Sequence, residues 1–218
     1  MDSIKSDLPK DLLDEVGEVV PQVFVYENKF SMTNGELNGF QIKYETYGKL
    51  NSDRSNVILV CHALTGDHHV AGFYKSEKRK GWWNHAVGPG KAIDTNQFHV
   101  ICSNCLGACQ GSTGPVSINS ETKEPYGMGF PDLSIKDMVA AQKLLLDHLN
   151  ISSLYSVVGG SMGGMQALQW VVEFPEFVES AVIIAATAQH SAQTIAFNEV
   201  GRTSIKRDLN WNNGNYST

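Results

Sequence analysis

A glycine-rich turn around Ser161 constrains the fold of this 218-residue chain more than any other feature of its sequence. The turn occupies residues 159–164, follows an apolar run and precedes an amphipathic segment. It matches the pattern G-x-S-x-G, in which a serine lies on a sharp turn between a strand and a helix. Such a turn needs small neighbours so that strand and helix can approach, and Gly159, Gly163 and Gly164 meet that need. The sequence therefore predicts a nucleophile elbow with Ser161 at its apex.

Strand and helix patterns alternate along the rest of the chain. Two strand-like runs, 23–30 and 40–47, are joined by a turn-rich segment and predict a β-hairpin. Unbroken apolar runs, typical of parallel strands buried on both faces, lie at 56–61, 98–102, 155–158 and 181–186. Three helices are expected. The first runs from Ser134, a candidate N-cap, to Asn150, the second from the turn at 159–164 to Glu173, and the third from Ser191 to Arg207. This alternation predicts an α/β fold with parallel strands and right-handed crossovers, whereas residues 66–97 are expected to be irregular.

Composition excludes several classes of protein. With 42% hydrophobic and 18% charged residues, the chain can bury a sizeable core. The 17 basic residues are outnumbered by 23 acidic ones, which argues against binding to nucleic acid or to an anionic membrane. Residues 1–20 are expected to form an acidic, loosely held lead-in to a domain at 21–218. The absence of a secretory pattern, short apolar runs and clustered cysteines favour a soluble protein in the reducing cytoplasm.

Two backbone amides are the candidate partners of Ser161. In a nucleophile elbow, the amide of the next residue, Met162, points toward a developing oxyanion. The second donor is expected in the loop after the strand at 56–61, where Leu64 is the candidate. A glycine-rich turn without chemistry, or a phosphate-binding loop, is the alternative, although the Lys-Ser/Thr pair of a P-loop is missing.

Other chemically suggestive residues favour structural roles. Cys102, Cys105 and Cys109 are close in sequence, but they lack the partners that complete a four-ligand site, so no metal is expected. The Gly-Pro-Gly-Lys segment at 88–91 reads as a turn because no helix follows it. Histidines near the predicted oxyanion loop are more often loop-ordering groups than general bases, and the sequence holds three there, His62, His68 and His69, with His190 further along.

A complete serine triad cannot be assembled from this sequence. In hydrolases with the nucleophile elbow, the acid and then the histidine follow the serine on later loops. The stretch after Ser161 has room for one strand and one long helix, and its one histidine, His190, follows the first strand. The chain is therefore expected to be the nucleophile half of a larger domain.

Seven blocks of sequence follow one another along the chain: YETYG at 44–48, HALTGDHH at 62–69, WW at 82–83, GPGKAIDT at 88–95, GSTGP at 111–115, GGSMGGMQALQW at 159–170 and AFNEVGR at 196–202. These blocks, in this order, resemble the homoserine O-acetyltransferase family of the α/β-hydrolase superfamily. The resemblance implies Ser161 as nucleophile, with the Leu64 and Met162 amides as oxyanion donors. It also implies that the triad Asp and His, much of the lid and a carboxylate-binding Arg are not in this chain, and Arg202 is not assigned to that last role.

The same resemblance implies an activity. It is the transfer of an acetyl group from acetyl-CoA, a co-substrate, to the hydroxyl of L-homoserine in methionine synthesis, by a cytoplasmic homodimer without a tightly bound cofactor. The alternatives are a relative that uses succinyl-CoA or serine, a plain serine esterase, and an inactive fragment.

Overall fold

A six-stranded sheet organises the computed structural model, which describes residues 15–214 apart from the side chains of Glu77 and Lys78. The strands are β1 (Gln22–Met32), β2 (Gly35–Tyr47), β3 (Val57–Cys61), β4 (Phe73–Tyr74), β5 (Glu77–Lys80), β6 (Val87–Gly88), β7 (Ile93–Asp94), β8 (His99–Ser103), β9 (Ser156–Gly160) and β10 (Ala181–Ile184). The helices are α1 (Ile135–His148), α2 (Met162–Glu173) and α3 (Ala192–Lys206), with 3-10 turns at Gly127–Gly129 and Asn212–Gly214. The large sheet has the order β1-β2-β8-β3-β9-β10, and the short strands pair as β4-β5 and β6-β7.

Strand β3 is the point at which the strand order reverses. It pairs in parallel with β8 on one side and with β9 on the other, and β10 continues the parallel arrangement beyond β9. The hairpin β1-β2 adds to the far side of β8 in the antiparallel sense. Because ligands bind at the carboxyl ends of strands where the order reverses, the loops after β3, β8 and β9 lie where a site is expected.

Each face of the sheet has its own hydrophobic core. On one face, α1 and α2 contribute Leu145, Leu146 and Trp170, all fully buried, against the strand residues Leu59 and Val157. On the other face, the segment between β3 and β8 packs its apolar side chains against the strands, with Val70, Ala71 and Val87 opposite Val60 and Val100. This coverage explains the unbroken apolar character of β3, whose residues are buried on both faces.

A capping box starts α1 and connects it to the hairpin. The Ser134 hydroxyl accepts a hydrogen bond from the Asp137 amide at 3.2 Å, and the Asp137 carboxylate accepts one from the Ser134 amide at 2.9 Å. The same carboxylate accepts a hydrogen bond from the Thr33 amide at the hairpin turn, at 2.8 Å. These bonds outweigh the effect of burial and lower the pKa of Asp137.

The predicted fold class is confirmed, with local corrections. The hairpin turn is tighter than expected, since β2 begins at Gly35, and the segment predicted to be irregular contains the short pairs β4-β5 and β6-β7. The strand predicted to reach residue 186 ends at Ile184, because the next residue, Ala185, has a φ of 48° that strands do not adopt.

The acidic lead-in is described only from Glu15 onward, and residues 1–14 lie outside the described part of the chain. Within 15–20, the Val19 amide donates a hydrogen bond to the Phe73 carbonyl at 3.0 Å, and the Glu15 carboxylate pairs with Lys80 at 3.0 Å.

Among the described helices, none combines the length and the apolar composition needed to cross a bilayer.

Candidate active site

Ser161 occupies a strained position between β9 and α2. Its φ of 56° and ψ of −121° lie outside the regions that a non-glycine residue ordinarily adopts. The Ser161 amide donates a hydrogen bond to the Ile184 carbonyl at 3.0 Å, and the Ser161 carbonyl accepts one from the Met165 amide at 3.1 Å. Both backbone groups are thus held by neighbouring elements while the residue itself is exposed. The strand–turn–helix geometry predicted for residues 155–173 is present, with the strand at Ser156–Gly160 where 155–158 was expected.

Glycines allow strand and helix to approach at this turn. A β-carbon on Gly159 would lie 2.1 Å from the Gly163 carbonyl oxygen, and one on Gly163 would lie 2.0 Å from the Cys61 carbonyl oxygen. A β-carbon on Gly164 would lie 2.6 Å from that of Ala186. The first two neighbours are backbone atoms, which cannot turn aside as a flexible side chain can. All three glycines that the sequence singled out are therefore required by close approach.

The two candidate oxyanion donors lie on one cavity. A cavity of about 470 Å³ is lined by Leu64 from the loop after β3 and by Met162 at the start of α2, together with residues 105–110 after β8. Leu64 is 78% exposed. Met162 is the first residue of α2, so its amide has no acceptor within the helix. The arrangement brings Leu64 and Met162, from separate elements, to one cavity, and Met162 directly follows Ser161.

His62 is committed to the backbone and is not placed to act as a general base. It is fully buried, and burial lowers the pKa of its imidazole. Its Nδ1 lies 2.8 Å from the Ala63 carbonyl oxygen, and its Nε2 accepts a hydrogen bond from the Cys105 amide at 3.0 Å. One ring nitrogen therefore donates and the other accepts, as in a neutral imidazole. This agrees with the expectation that a histidine in this loop orders it.

His68 and His69 belong to a buried polar cluster around Glu45. The Glu45 carboxylate is fully buried, accepts hydrogen bonds from the hydroxyls of Tyr47 and Tyr74, and lies 3.1 Å from Nδ1 of His69. Nε2 of His68 lies 3.7 Å from the same carboxylate. Since Glu45 lies on β2 and its partners lie mostly on the segment after β3, the cluster attaches the loop that carries Leu64 to the sheet.

The pKa values of the two cluster histidines are displaced in opposite directions. Burial lowers the pKa of His69, but its hydrogen bond and charge attraction to Glu45, together with its contacts to Arg79 and Asp67, outweigh burial and hold this pKa above the ordinary value. The second nitrogen of His69 faces the Arg79 carbonyl at 3.3 Å, which also suits a protonated ring. For His68, burial outweighs the attraction of Glu45 and lowers the pKa to about 4.

We expect the free energy of unfolding to fall as the pH drops from 6.5 toward 4.5, a range in which the stability contributed by the raised pKa of His69 is already complete and no longer grows. Unfolded His68 takes up a proton near 6.5 whereas the folded form does so near 4, so the unfolded state binds more protons in between. His62 acts in the same sense, and the loss should be on the order of 2 kcal/mol. Urea unfolding at a series of pH values measures it. His68→Asn should flatten the dependence, His190→Asn at an exposed site should not, and a flat profile in the unsubstituted protein would contradict the assignment.

Asp67 and Arg79 form an ion pair at the edge of the cavity. Their side chains approach to 2.6 Å. Burial raises the pKa of Asp67, but the hydrogen bonds from Arg79 and the His69 amide, with the nearby positive charges, together outweigh burial and lower this pKa. Asp67 also accepts a hydrogen bond from the His69 amide at 2.9 Å, and its carbonyl accepts one from the Trp82 indole at 2.9 Å. Sequence reasoning missed this pair, although Asp67 stands within the HALTGDHH block.

A buried amide network behind the turn was also missed. The Gln166 carbonyl oxygen accepts a hydrogen bond from the Gln142 side chain at 2.8 Å and one from the Cys105 thiol at 3.4 Å. The Trp170 indole donates to Gln142 at 2.7 Å. Glutamines on the apolar face of two helices are the one sequence signal that could have indicated it, since a buried amide needs partners.

The remaining sequence candidates are the cysteines, His190 and Arg202. Burial raises the pKa of the Cys61 and Cys105 thiols, the latter to about 12, and Cys109 is exposed. Within residues 15–214, no group of three or more His, Cys, Asp or Glu side chains is arranged to hold a metal ion. His190 is exposed, and Arg202 lies on the exposed helix α3, where its Nε donates to Glu199 at 3.0 Å.

Comparison with proteins of known sequence finds close relatives. The chain is 59% identical to homoserine O-acetyltransferase of Methanosphaera stadtmanae and 55% identical to that of Methanobrevibacter ruminantium, in each case over 202 residues. The matched region is 92% of this chain and 41% of each relative. The chain thus spans about two fifths of the length of these relatives.

Solved structures show the same arrangement. Homoserine O-acetyltransferase from Bacillus anthracis superposes with a TM-score of 0.86 at 37% identity, covering 92% of this chain and 56% of that one. Esterase E22 superposes with a TM-score of 0.84 at 41% identity and the same coverage. Both a transferase and an esterase are thus similar to this chain.

The sequence model of the alpha/beta hydrolase fold matches residues 56–218, which include β3, the serine turn and α3. The parallel strands around β3, the strained serine after β9 and this match agree with one another. The chain belongs to the alpha/beta hydrolase fold family.

Proposed function

We propose that this chain carries the nucleophile and the oxyanion hole of an acyltransferase that moves an acetyl group from acetyl-CoA to the hydroxyl of L-homoserine. The observation that carries the proposal is the exposed, strained Ser161 directly before α2, whose next residue, Met162, lines one cavity together with Leu64. The substrates come from the relatives, which are homoserine O-acetyltransferases at more than half identity.

The reaction proceeds through an acyl-serine intermediate. Ser161 Oγ bonds to the thioester carbonyl carbon while its proton passes to a histidine base, and the carbonyl oxygen becomes an oxyanion. The Leu64 and Met162 amides donate hydrogen bonds to that oxyanion. When the C–S bond breaks, CoA leaves with the proton. The homoserine hydroxyl then attacks the acyl-serine, gives up its proton to the base, and releases O-acetylhomoserine and free Ser161.

The base and its acid partner come from outside the residues described above. His62 donates to the Ala63 carbonyl and accepts from the Cys105 amide, and His69 is held by Glu45, so both are engaged elsewhere. The family resemblance implies a triad Asp and His beyond residue 218. We therefore propose that activity belongs to the full-length protein.

An esterase is the second candidate, since esterase E22 is as similar in fold as the transferase from Bacillus anthracis. The two differ in whether water or an amino-acid hydroxyl reaches the acyl-serine.

We also propose, on the family resemblance, a cytoplasmic homodimer without a tightly bound cofactor. Light scattering of the full-length protein reports the oligomeric state.

Assays of the full-length protein with paired substrates test the proposed specificity. We expect product with acetyl-CoA and L-homoserine at least about tenfold faster than with succinyl-CoA or with serine, because the acceptor and donor pockets each select by transition-state contacts. Continued release of CoA over many turnovers without homoserine, beyond the one CoA that forms the acyl-serine, would instead identify an esterase. Faster reaction with succinyl-CoA or serine would overturn the substrate assignment alone.

A further inference from the structure

We propose that His62 is a positioning residue that orients the Ala63–Leu64 peptide, so that the Leu64 amide points at the oxyanion. The inference rests on the proposed function, because it assigns a role within the same site. The G-x-S-x-G motif predicts where the two donors lie but does not set the direction of the Leu64 N–H. The hydrogen bonds of the His62 ring set that direction.

The Ala63 carbonyl accepts two hydrogen bonds on one side of the peptide. His62 Nδ1 lies 2.8 Å from the Ala63 oxygen, and the Gly66 amide donates to the same oxygen at 2.9 Å. In a planar trans peptide the carbonyl and the following N–H point in opposite directions. Holding the Ala63 oxygen toward the ring therefore turns the Leu64 N–H the other way. Leu64 lines the cavity that Met162 also lines.

The hydrogen bond at Nε2 of His62 determines that the proton of the neutral ring lies on Nδ1. The Cys105 amide can only donate, so at 3.0 Å the Nε2 of His62 must accept. The proton of the neutral ring then lies on Nδ1, where it faces the Ala63 oxygen. Burial favours that neutral form. Cys105 belongs to the loop after β8, so one imidazole connects two loops that line the cavity.

Gln166 connects the same loop to the second donor. Its side-chain amide lies 3.4 Å from the His62 carbonyl oxygen and 3.4 Å from the Met162 carbonyl oxygen. Its own carbonyl oxygen is held by Gln142 at 2.8 Å. The backbone of His62 is thereby attached to the first turn of α2, which carries the Met162 amide. The ring sets the direction of one donor, and this bridge sets its place relative to the other.

Two substitutions of similar size separate positioning from packing. His62→Asn places an amide N–H near the position of Nδ1, whereas His62→Leu fills the space without a donor. In the full-length protein we expect His62→Leu to lower the kcat for acetylation of Ser161 about 10²-fold, the usual loss for one oxyanion donor. Its KM for acetyl-CoA should stay within about threefold, because the donor acts mainly in the transition state.

His62→Asn should recover at least about tenfold of the kcat lost in His62→Leu, since it restores part of the hydrogen bond worth about 10²-fold. Equal kcat values in the two variants, with both folded by circular dichroism, would overturn the inference. If His62→Leu does not fold, His62→Gln replaces it, because the longer side chain stays polar but carries its amide past the Ala63 oxygen. His62→Gln should then show the kcat loss, and a kcat equal to that of His62→Asn would overturn the inference.

Ser161→Ala distinguishes this inference from the proposed function. Acetyl transfer that survives Ser161→Ala would remove the proposed function and the inference with it. Loss of transfer in Ser161→Ala, together with equal kcat values for His62→Asn and His62→Leu, would remove the inference alone.

Discussion

Substituting Ser161 with alanine is expected to lower acetyl transfer by the full-length protein about 10⁴-fold or more, the scale seen when a catalytic nucleophile is removed. Ser161 is exposed at the start of α2 in a conformation that few non-glycine residues adopt. Such strain persists only where the surrounding structure determines it, and here the Ile184 carbonyl and the Met165 amide hold both backbone groups. Alanine keeps this backbone and removes only the hydroxyl.

Mass spectrometry after rapid mixing with acetyl-CoA measures the effect. The unsubstituted protein should gain the mass of one acetyl group on the peptide that contains Ser161, and Ser161→Ala should gain none. Ser204→Ala, on the exposed face of α3, serves as the matched control and should react like the unsubstituted protein. Acetyl transfer at an undiminished rate in Ser161→Ala would show that the serine turn does not carry the chemistry.

Substituting Gly163 with alanine is expected to destabilise the fold by about 3 kcal/mol, the upper range for overpacking a tight site. The added β-carbon would lie 2.0 Å from the Cys61 carbonyl oxygen and 2.7 Å from its carbon. These are backbone atoms of β3, the strand that is buried on both faces, so α2 would have to move away from the sheet. Met162, the candidate oxyanion donor at the start of α2, would then be displaced as well.

Thermal and urea unfolding of the variant measure this loss, and a loss of about 3 kcal/mol corresponds to a melting temperature lower by roughly 6–12 °C in a chain of this size. Gly201→Ala is the matched control, because Gly201 lies within α3 and a β-carbon there meets nothing within 4 Å. Alanine at that position should stabilise the helix by about 0.5–1 kcal/mol. Equal stability of Gly163→Ala and the unsubstituted protein would show that the close approach of α2 to β3 is not required.

Much of the local structure could be predicted from the sequence, because it depends on neighbouring residues. Ser134 was expected to cap a helix, and α1 begins directly after it. The apolar, β-branched run at 56–61 was expected to be a buried strand, and β3 covers all but its first residue. The serine turn was found because each of its requirements, an apolar strand, small neighbours and an amphipathic helix, falls within a short stretch of chain.

The contacts that complete the candidate site could not be predicted, because they join residues far apart in sequence. Glu45 lies on strand β2, and the alternation of apolar and polar residues along that strand does not predict a buried carboxylate. Its partner His69 lies on the loop after the next strand, β3. Gln142 and Gln166 lie on different helices and meet only because α1 and α2 cover the same face of the sheet. Such pairs depend on which strands are neighbours.

The sequence by itself determined the long strands and helices, the alternation that makes an α/β sheet, and the strained turn at Ser161, since periodicity and small residues act over a few positions. Only the tertiary structure decided that β8 lies between β2 and β3, and that the loops after β3 and β8 therefore meet. That order places the Cys105 amide against the His62 ring and so selects the ring nitrogen that faces Ala63. The physical reason is that hydrogen bonds between strands and loops depend on distance in space, which no local pattern encodes.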